Sequence, residues 1–190
     1  MRIIAGSLGG RRIQAPQGTK TRPTSDRVRE ALFSRLESTP GGIEDRSVLD
    51  AYAGSGAMGL EALSRGARHA TFIERDRGAL SALQANIDSL DVESDTTVIK
   101  GDTSRITSRG AVAGEPFGLL ILDPPYRIEN AEVREVIDSL VAHRALALGC
   151  LLVWEHDSGT PIDPGARWRS LGTKTYGTTA VSVYEADSEQ

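Results

Sequence analysis

The stretch "VLDAYAGSGAMGLEAL", residues 48–63, decides the fold class of this chain. It begins with a short apolar run ending in Asp50, continues through a glycine-rich loop, and enters a segment typical of a buried helix. This order predicts a β-strand, a tight turn and an α-helix. Gly54, Gly56 and Gly59 satisfy the G-x-G-x-x-G spacing that brings backbone close to a nucleotide. The spacing alone is also compatible with a tight turn that binds nothing.

Strands and helices alternate along the rest of the chain. The patterns predict strands at 47–52, 69–75, 96–100, 117–123, 149–156, 167–176 and 178–186, and helices at 57–66, 76–90, 103–112 and 129–143. Repeated strand–helix units predict an α/β fold with a doubly wound, mostly parallel, seven-stranded sheet. The last two strands alternate in polarity and predict an antiparallel hairpin at one edge.

The first 40 residues predict a basic extension made of a small β-hairpin and a helix, followed by a catalytic domain over 41–190. Residues 2–15 predict two short strands around a glycine-rich turn, and a helix is expected from Ser25. Residues 1–35 have a charge balance of +6, whereas the other 155 have −10. A basic segment on an acidic body predicts a polyanionic partner, with a solvated tail as the alternative. The candidate RNA-binding residues are Arg2, Arg11, Arg12, Arg22, Arg27 and Arg29, the last two expected on the solvent face of the helix.

Composition excludes several classes. The 190 residues suit one domain, and no apolar run approaches the ~20 residues of a membrane span. The first residues lack a signal-peptide pattern, so we expect a cytoplasmic protein. Cys150 is the single cysteine, which excludes an internal disulfide. We find no metal-ligand cluster, no Ser/His/Asp pattern and no P-loop in the sequence, and expect no metal.

Candidate ligand-binding residues follow three predicted strands, where this class of sheet binds its ligands. At the first strand, these residues are Asp50 and the glycine-rich loop that comes after it. Glu74 comes 20 residues after Gly54, a spacing at which an acidic side chain accepts hydrogen bonds from ribose hydroxyls. Asp102 and Thr103 follow the third strand, where the carboxylate could bind an adenine amine, cap a helix, or do both.

The buried strand in "FGLLILDPPY", residues 117–126, ends in an aspartate, two prolines and a tyrosine. Asp123 supplies a carboxylate acceptor, the kink at Pro124 and Pro125 can direct a carbonyl into the site, and Tyr126 offers a ring for stacking. Two acceptors and a ring suit an exocyclic amine on a planar base. A nicotinamide oxidoreductase would need a hydride-transfer pair, and none is evident around the three histidines.

These motifs, in this order, resemble the class I S-adenosylmethionine-dependent methyltransferases, whose DPPY type modifies exocyclic amines. The segments "RIIAGSLGGRRI" and "TRPTSDRVREALFSRL" narrow the resemblance to the RsmD-like family of bacterial ribosomal RNA guanine-N2 methyltransferases. The resemblance covers residues 1 to about 156, together with a terminal strand in "TYGTTAVSVYE". Tyr52 and Met58 are mild departures that leave the loop glycines in place.

The resemblance implies methyl transfer from S-adenosylmethionine to the N2 amine of one guanine in 16S ribosomal RNA or the assembling small subunit. It implies these cofactor-binding residues: Asp50, Ala51, Gly54, Ser55, Gly56, Glu74, Arg75, Asp102, Thr103 and Asp123. It implies a catalytic set of Asp123, Pro124, Pro125 and Tyr126. Alternatives are an adenine-N6 methyltransferase of DNA or RNA and a non-catalytic RNA-binding assembly factor. We expect a monomer.

Overall fold

The fold is built around one seven-stranded sheet. The computed structural model describes residues 1–16, 25–112 and 114–187. The strands are β1 (Ser47–Asp50), β2 (His69–Glu74), β3 (Thr96–Lys100), β4 (Phe117–Leu122), β5 (Leu146–Asp157), β6 (Trp168–Tyr176) and β7 (Thr179–Ala186). The helices are α1 (Asp26–Glu37), α2 (Ala57–Ser64), α3 (Arg77–Leu90), α4 (Thr103–Ser108) and α5 (Asn130–Ala142), with a short 3₁₀ turn at Glu93–Asp95. Within the described ranges, no helix is both long and apolar enough to cross a membrane.

The strand order β3-β2-β1-β4-β5-β7-β6 confirms the predicted doubly wound sheet. The chain builds outward from β1 to β3, then returns to place β4 beside β1. Both central strands are buried along their whole length, which explains their continuous apolar sequences. The reversal between β1 and β4 is the switch point where ligands bind in such sheets, and Asp50 and Asp123 lie at its two sides.

The closing hairpin is antiparallel as predicted, but its second strand enters the sheet rather than the edge. β7 pairs with both β5 and β6, so β6 is the outer strand. Five consecutive residues of β7 are buried, whereas β6 is largely exposed. The more apolar strand therefore takes the position with two neighbours.

The predicted N-terminal hairpin reduces to one antiparallel bridge between Arg2 and Arg12. Ile3 and Ile13 are buried and belong to the same hydrophobic cluster as residues of α1 and of the central strands of the sheet. Their burial favours an irregular segment fastened to the body over a regular protruding hairpin. The domain boundary at residue 40 stays a prediction.

Candidate active site

The glycine loop joins β1 to α2, and the glycines of the motif have two different tasks: Gly54 and Gly56 lie in the loop, and Gly59 lies in the first turn of α2. A Cβ atom at Gly56 would lie 2.4 Å from Leu83 Cδ1, and one at Gly59 would lie 2.3 Å from Phe72 Cε1. These two glycines let α2 pack against α3 and β2. Gly54 has a φ of +56°, and a Cβ there would meet nothing within 4 Å. Gly54 therefore serves the turn and leaves open space for a ligand.

Asp50 fixes the start of α2 from within the core. Its carboxylate is buried and accepts a hydrogen bond from the Gly59 N–H at 3.0 Å. Burial raises the pKa of Asp50 to about 7; the Gly59 bond opposes this rise and the charge of Glu74 adds to it. Asp50 thus positions the helix N-terminus beneath the loop.

Glu74 is held against the loop by backbone donors. Its Oε2 accepts from the Gly54 N–H at 2.8 Å, and its Oε1 accepts from the N–H groups of Arg75 and Asp76 at 2.7 and 2.8 Å. These bonds fix the orientation of the carboxylate. A carboxylate has about four acceptor positions, so it retains capacity for a ribose hydroxyl.

The end of β3 is tied to the same loop. Asp102 caps α4 by accepting from the Arg105 N–H at 3.2 Å, which confirms the helix-cap interpretation. The same carboxylate pairs with the Arg75 guanidinium at 2.9 Å. The Thr103 hydroxyl donates to the Ala51 carbonyl at 2.5 Å. Adenine binding by Asp102 stays a prediction.

The DPPY segment begins one residue after β4 ends. Asp123 is partly buried, and no donor among the described residues forms a hydrogen bond to it. Burial holds the pKa of Asp123 well above its usual range, and the charges of Glu155 and Asp50 raise it further. Tyr126 is 71% exposed, with its hydroxyl 3.4 Å from Thr179 Oγ1. A base could therefore stack on this ring beside the carboxylate.

Asn86 joins the N-terminal segment to the loop, and sequence reasoning missed it. Fully buried on α3, it donates from its amide to the Ser55 carbonyl at 2.9 Å and to the Gln14 carbonyl at 3.0 Å. It also accepts from the Gln14 N–H at 2.6 Å. The available signal was a polar amide within the apolar stripe of α3.

Glu61 is a second missed residue of the same kind. It is fully buried on α2, where it accepts from the Ile4 N–H at 2.7 Å and the Ala5 N–H at 3.2 Å and pairs with Arg65 at 2.8 Å. A single charge in the otherwise apolar "AMGLEAL" was the sequence signal. Asn86 and Glu61 together fasten residues 1–14 to the two helices that flank the loop.

The expected surface position of Arg29 is wrong. The residue is 1% exposed, pairs with Asp26 at 3.0 Å and Glu61 at 3.6 Å, and donates to the Arg2 carbonyl at 2.5 Å. A buried Glu61 requires a nearby cation, and the packing of α1 against α2 turns Arg29 toward it. Arg29 therefore has a structural role.

The remaining candidate cations divide into two groups. Arg11 donates to the Leu90 carbonyl at 2.8 Å and to the Ser89 carbonyl, at the end of α3. Arg2, Arg12 and Arg27 are exposed, and the first two line a cleft of about 850 Å³. Arg22 lies outside the described residues. The exposed group is the one able to meet phosphates directly.

Comparison with known proteins assigns the family. A family described as "Conserved hypothetical protein 95" matches residues 1–185. The chain belongs to this family. It is 36% identical to Ribosomal RNA small subunit methyltransferase D of Escherichia coli (strain K12), over 100% of this chain and 91% of that protein. It is 32% identical to the Haemophilus influenzae protein of that name, over 97% of this chain and 93% of that protein. This protein is therefore one of the RsmD-like methyltransferases, as its motifs predicted.

Solved structures of other proteins have the same fold as this protein. The Escherichia coli protein yhhF superposes with a TM-score of 0.83 at 34% identity, covering 100% of this chain and 99% of that one. An RNA methyltransferase from Salinibacter ruber in complex with S-adenosyl-L-homocysteine gives 0.63 at 18% identity, covering 89% and 96%. The second likeness shows the fold alone. Together they confirm the class I methyltransferase fold.

Proposed function

We propose that this protein transfers a methyl group from S-adenosylmethionine to the N2 amine of a guanine in 16S ribosomal RNA. The observation that carries the proposal is the open space at Gly54 on one side of the switch point, with the partly buried Asp123 and the exposed Tyr126 on the other. The names of the full-length relatives support ribosomal RNA of the small subunit as the substrate.

The residues present fit the proposed cofactor. Gly54 leaves unfilled space at the loop, and the Glu74 carboxylate is held beside it by the Gly54 N–H. In the proposal Glu74 binds the ribose hydroxyls, Asp102 and Thr103 lie near the adenine, and the loop from Asp50 to Gly56 lines the methionine part. When bound, S-adenosylmethionine supplies an electrophilic methyl group on a sulfonium.

Asp123 and Pro124 position the acceptor amine. The Asp123 carboxylate and the Pro124 carbonyl each accept one N2 hydrogen, which directs the nitrogen lone pair toward the methyl group. Alignment of the two reacting groups supplies much of the rate. The carbon–nitrogen bond forms as the carbon–sulfur bond breaks, and the leaving proton passes to Asp123 and then to solvent.

The target base must leave its stack to reach Tyr126 and Asp123. The exposed cations Arg2, Arg12 and Arg27 would bind RNA phosphates without reading sequence. Recognition would then rest largely on the shape of the RNA or of the assembling particle. We propose a cytoplasmic, monomeric enzyme.

One assay tests the proposal. The protein is incubated with methyl-labelled S-adenosylmethionine and either undermethylated small subunits, naked 16S RNA or DNA, and the labelled nucleoside is identified. We expect N2-methylguanosine from one RNA substrate. Label in N6-methyladenosine would favour the adenine methyltransferase. RNA binding with no label on any substrate would favour the assembly factor.

A further inference from the structure

A second carboxylate lies beside Asp123 at the candidate active site. β4 and β5 pair in parallel with Leu122 opposite Trp154. Asp123 directly follows the end of β4, and Glu155 is the next residue of β5 after Trp154. Their proximity is also evident from the charge of Glu155, which raises the pKa of Asp123. Both side chains are partly buried.

The sheet register gives the two carboxylates the same direction. Ile121 and Val153 are opposite each other and belong to the core cluster that contains Ile3 and Ile13 of the N-terminal segment. Side chains alternate along a strand, so the residues two positions later face the same side. Glu155 is also opposite Val181, which belongs to that cluster. The carboxylate pair therefore faces the side on which the basic segment lies.

Adjacent carboxylates suit the donor edge of guanine. Guanine presents its N1–H next to its N2 amine, whereas adenine presents an N1 lone pair next to its N6 amine. An ionised carboxylate only accepts hydrogen bonds, so it stabilises a donor edge and repels a lone pair. If Asp123 and Pro124 hold the N2 amine, the adjacent carboxylate is placed to meet N1.

We propose that Glu155 is a specificity-determining residue that accepts the N1–H of the target guanine and thereby excludes adenine. This inference rests on the proposed function, because it requires a guanine amine at Asp123. The proposed function names the amine that is methylated, and this inference adds the residue that selects guanine over adenine.

The test replaces the target guanosine, located by the labelling assay, with 2-aminopurine riboside. This base keeps the 2-amine but has an N1 lone pair in place of N1–H. We expect the wild-type protein to prefer guanine in kcat/KM by about tenfold to a hundredfold, the effect of one hydrogen bond to a charged group. The Glu155→Gln variant should narrow that preference at least about tenfold, because its amide can donate to N1.

Glu135→Gln is the matched control, since it removes one charge from the exposed face of α5. The Glu135→Gln variant should keep the wild-type preference for guanine over 2-aminopurine in kcat/KM. The proposal is overturned if the Glu155→Gln variant also keeps that preference. Equal wild-type turnover of both bases would overturn it without any variant, which covers the case in which Glu155→Gln does not fold. Absence of guanine methylation by the wild type would instead refute the proposed function.

Discussion

The two sides of the switch point are built differently. On the cofactor side, formed by the ends of β1, β2 and β3, each predicted carboxylate already has partners within the protein: Asp50 has Gly59, Glu74 has Gly54, and Asp102 has Arg75. On the acceptor side, formed by the ends of β4 and β5, Asp123 has no described hydrogen-bond donor and Tyr126 is exposed. Internal bonds preorganise the first side, whereas the second presents a carboxylate and an exposed ring to the proposed substrate.

Asp123→Asn should give the largest effect. The amide keeps the shape of the side chain but loses the charge and the ability to take the amine proton. We expect kcat for methyl transfer to fall at least about a hundredfold, with the affinity for S-adenosylhomocysteine retained. Single-turnover kinetics and calorimetric titration measure the two quantities. Near-normal turnover would remove Asp123 from the catalytic role.

Glu74→Gln should give the opposite pattern. The amide cannot accept at every position that the carboxylate offers to the Gly54, Arg75 and Asp76 N–H groups and to the proposed ribose. Loss of a hydrogen bond to a charged group predicts a cofactor affinity weaker by about tenfold to a hundredfold. At saturating cofactor, kcat should change much less. An unchanged dissociation constant would contradict the ribose role and the contrast between the two sides.

Asp50→Asn tests the electrostatics of the cofactor side. Because the native pKa of Asp50 is raised from 3.8 to about 7, the native state retains a proton that the unfolded state loses. This group therefore lowers the free energy of unfolding as pH rises from about 4 to about 7, by up to about 1.4 kcal/mol per pH unit, with no further change above. Urea unfolding of wild type and variant at pH 5 and 8 measures the difference. Asp123 contributes with the same sign in both proteins, so identical pH dependence would refute the raised pKa of Asp50.

Arg12→Ala should give the smallest effect, on RNA binding alone. Loss of one exposed phosphate contact predicts a decrease of about 1 in the slope of log affinity against log salt. Arg11→Ala is the control, because the Arg11 guanidinium is already bonded to the end of α3. The control should lower stability and leave the slope nearly unchanged. If the slope decreased for Arg11→Ala and not for Arg12→Ala, Arg11 rather than Arg12 would be the residue that contacts RNA.

Local patterns predicted much of this arrangement. The glycine loop, Glu74 and Asp123 were assigned from strand ends, since neighbouring parallel strands bring their carboxyl ends together. The fate of Arg29 was not predictable in this way, because its burial depends on Glu61, 32 residues along the chain on another helix. Asn86 was missed for the same reason, since its partners are backbone groups of Gln14 and Ser55.

Local sequence patterns were sufficient to predict the order of elements, the class of sheet and the strand ends that carry polar residues. These follow from hydrophobic periodicity and turn residues, which act over a few positions. Long-range packing, in contrast, places β7 inside the sheet, buries Arg29 and brings Glu155 beside Asp123. Those outcomes depend on which distant surfaces exclude water together, and sequence spacing alone carries no such information.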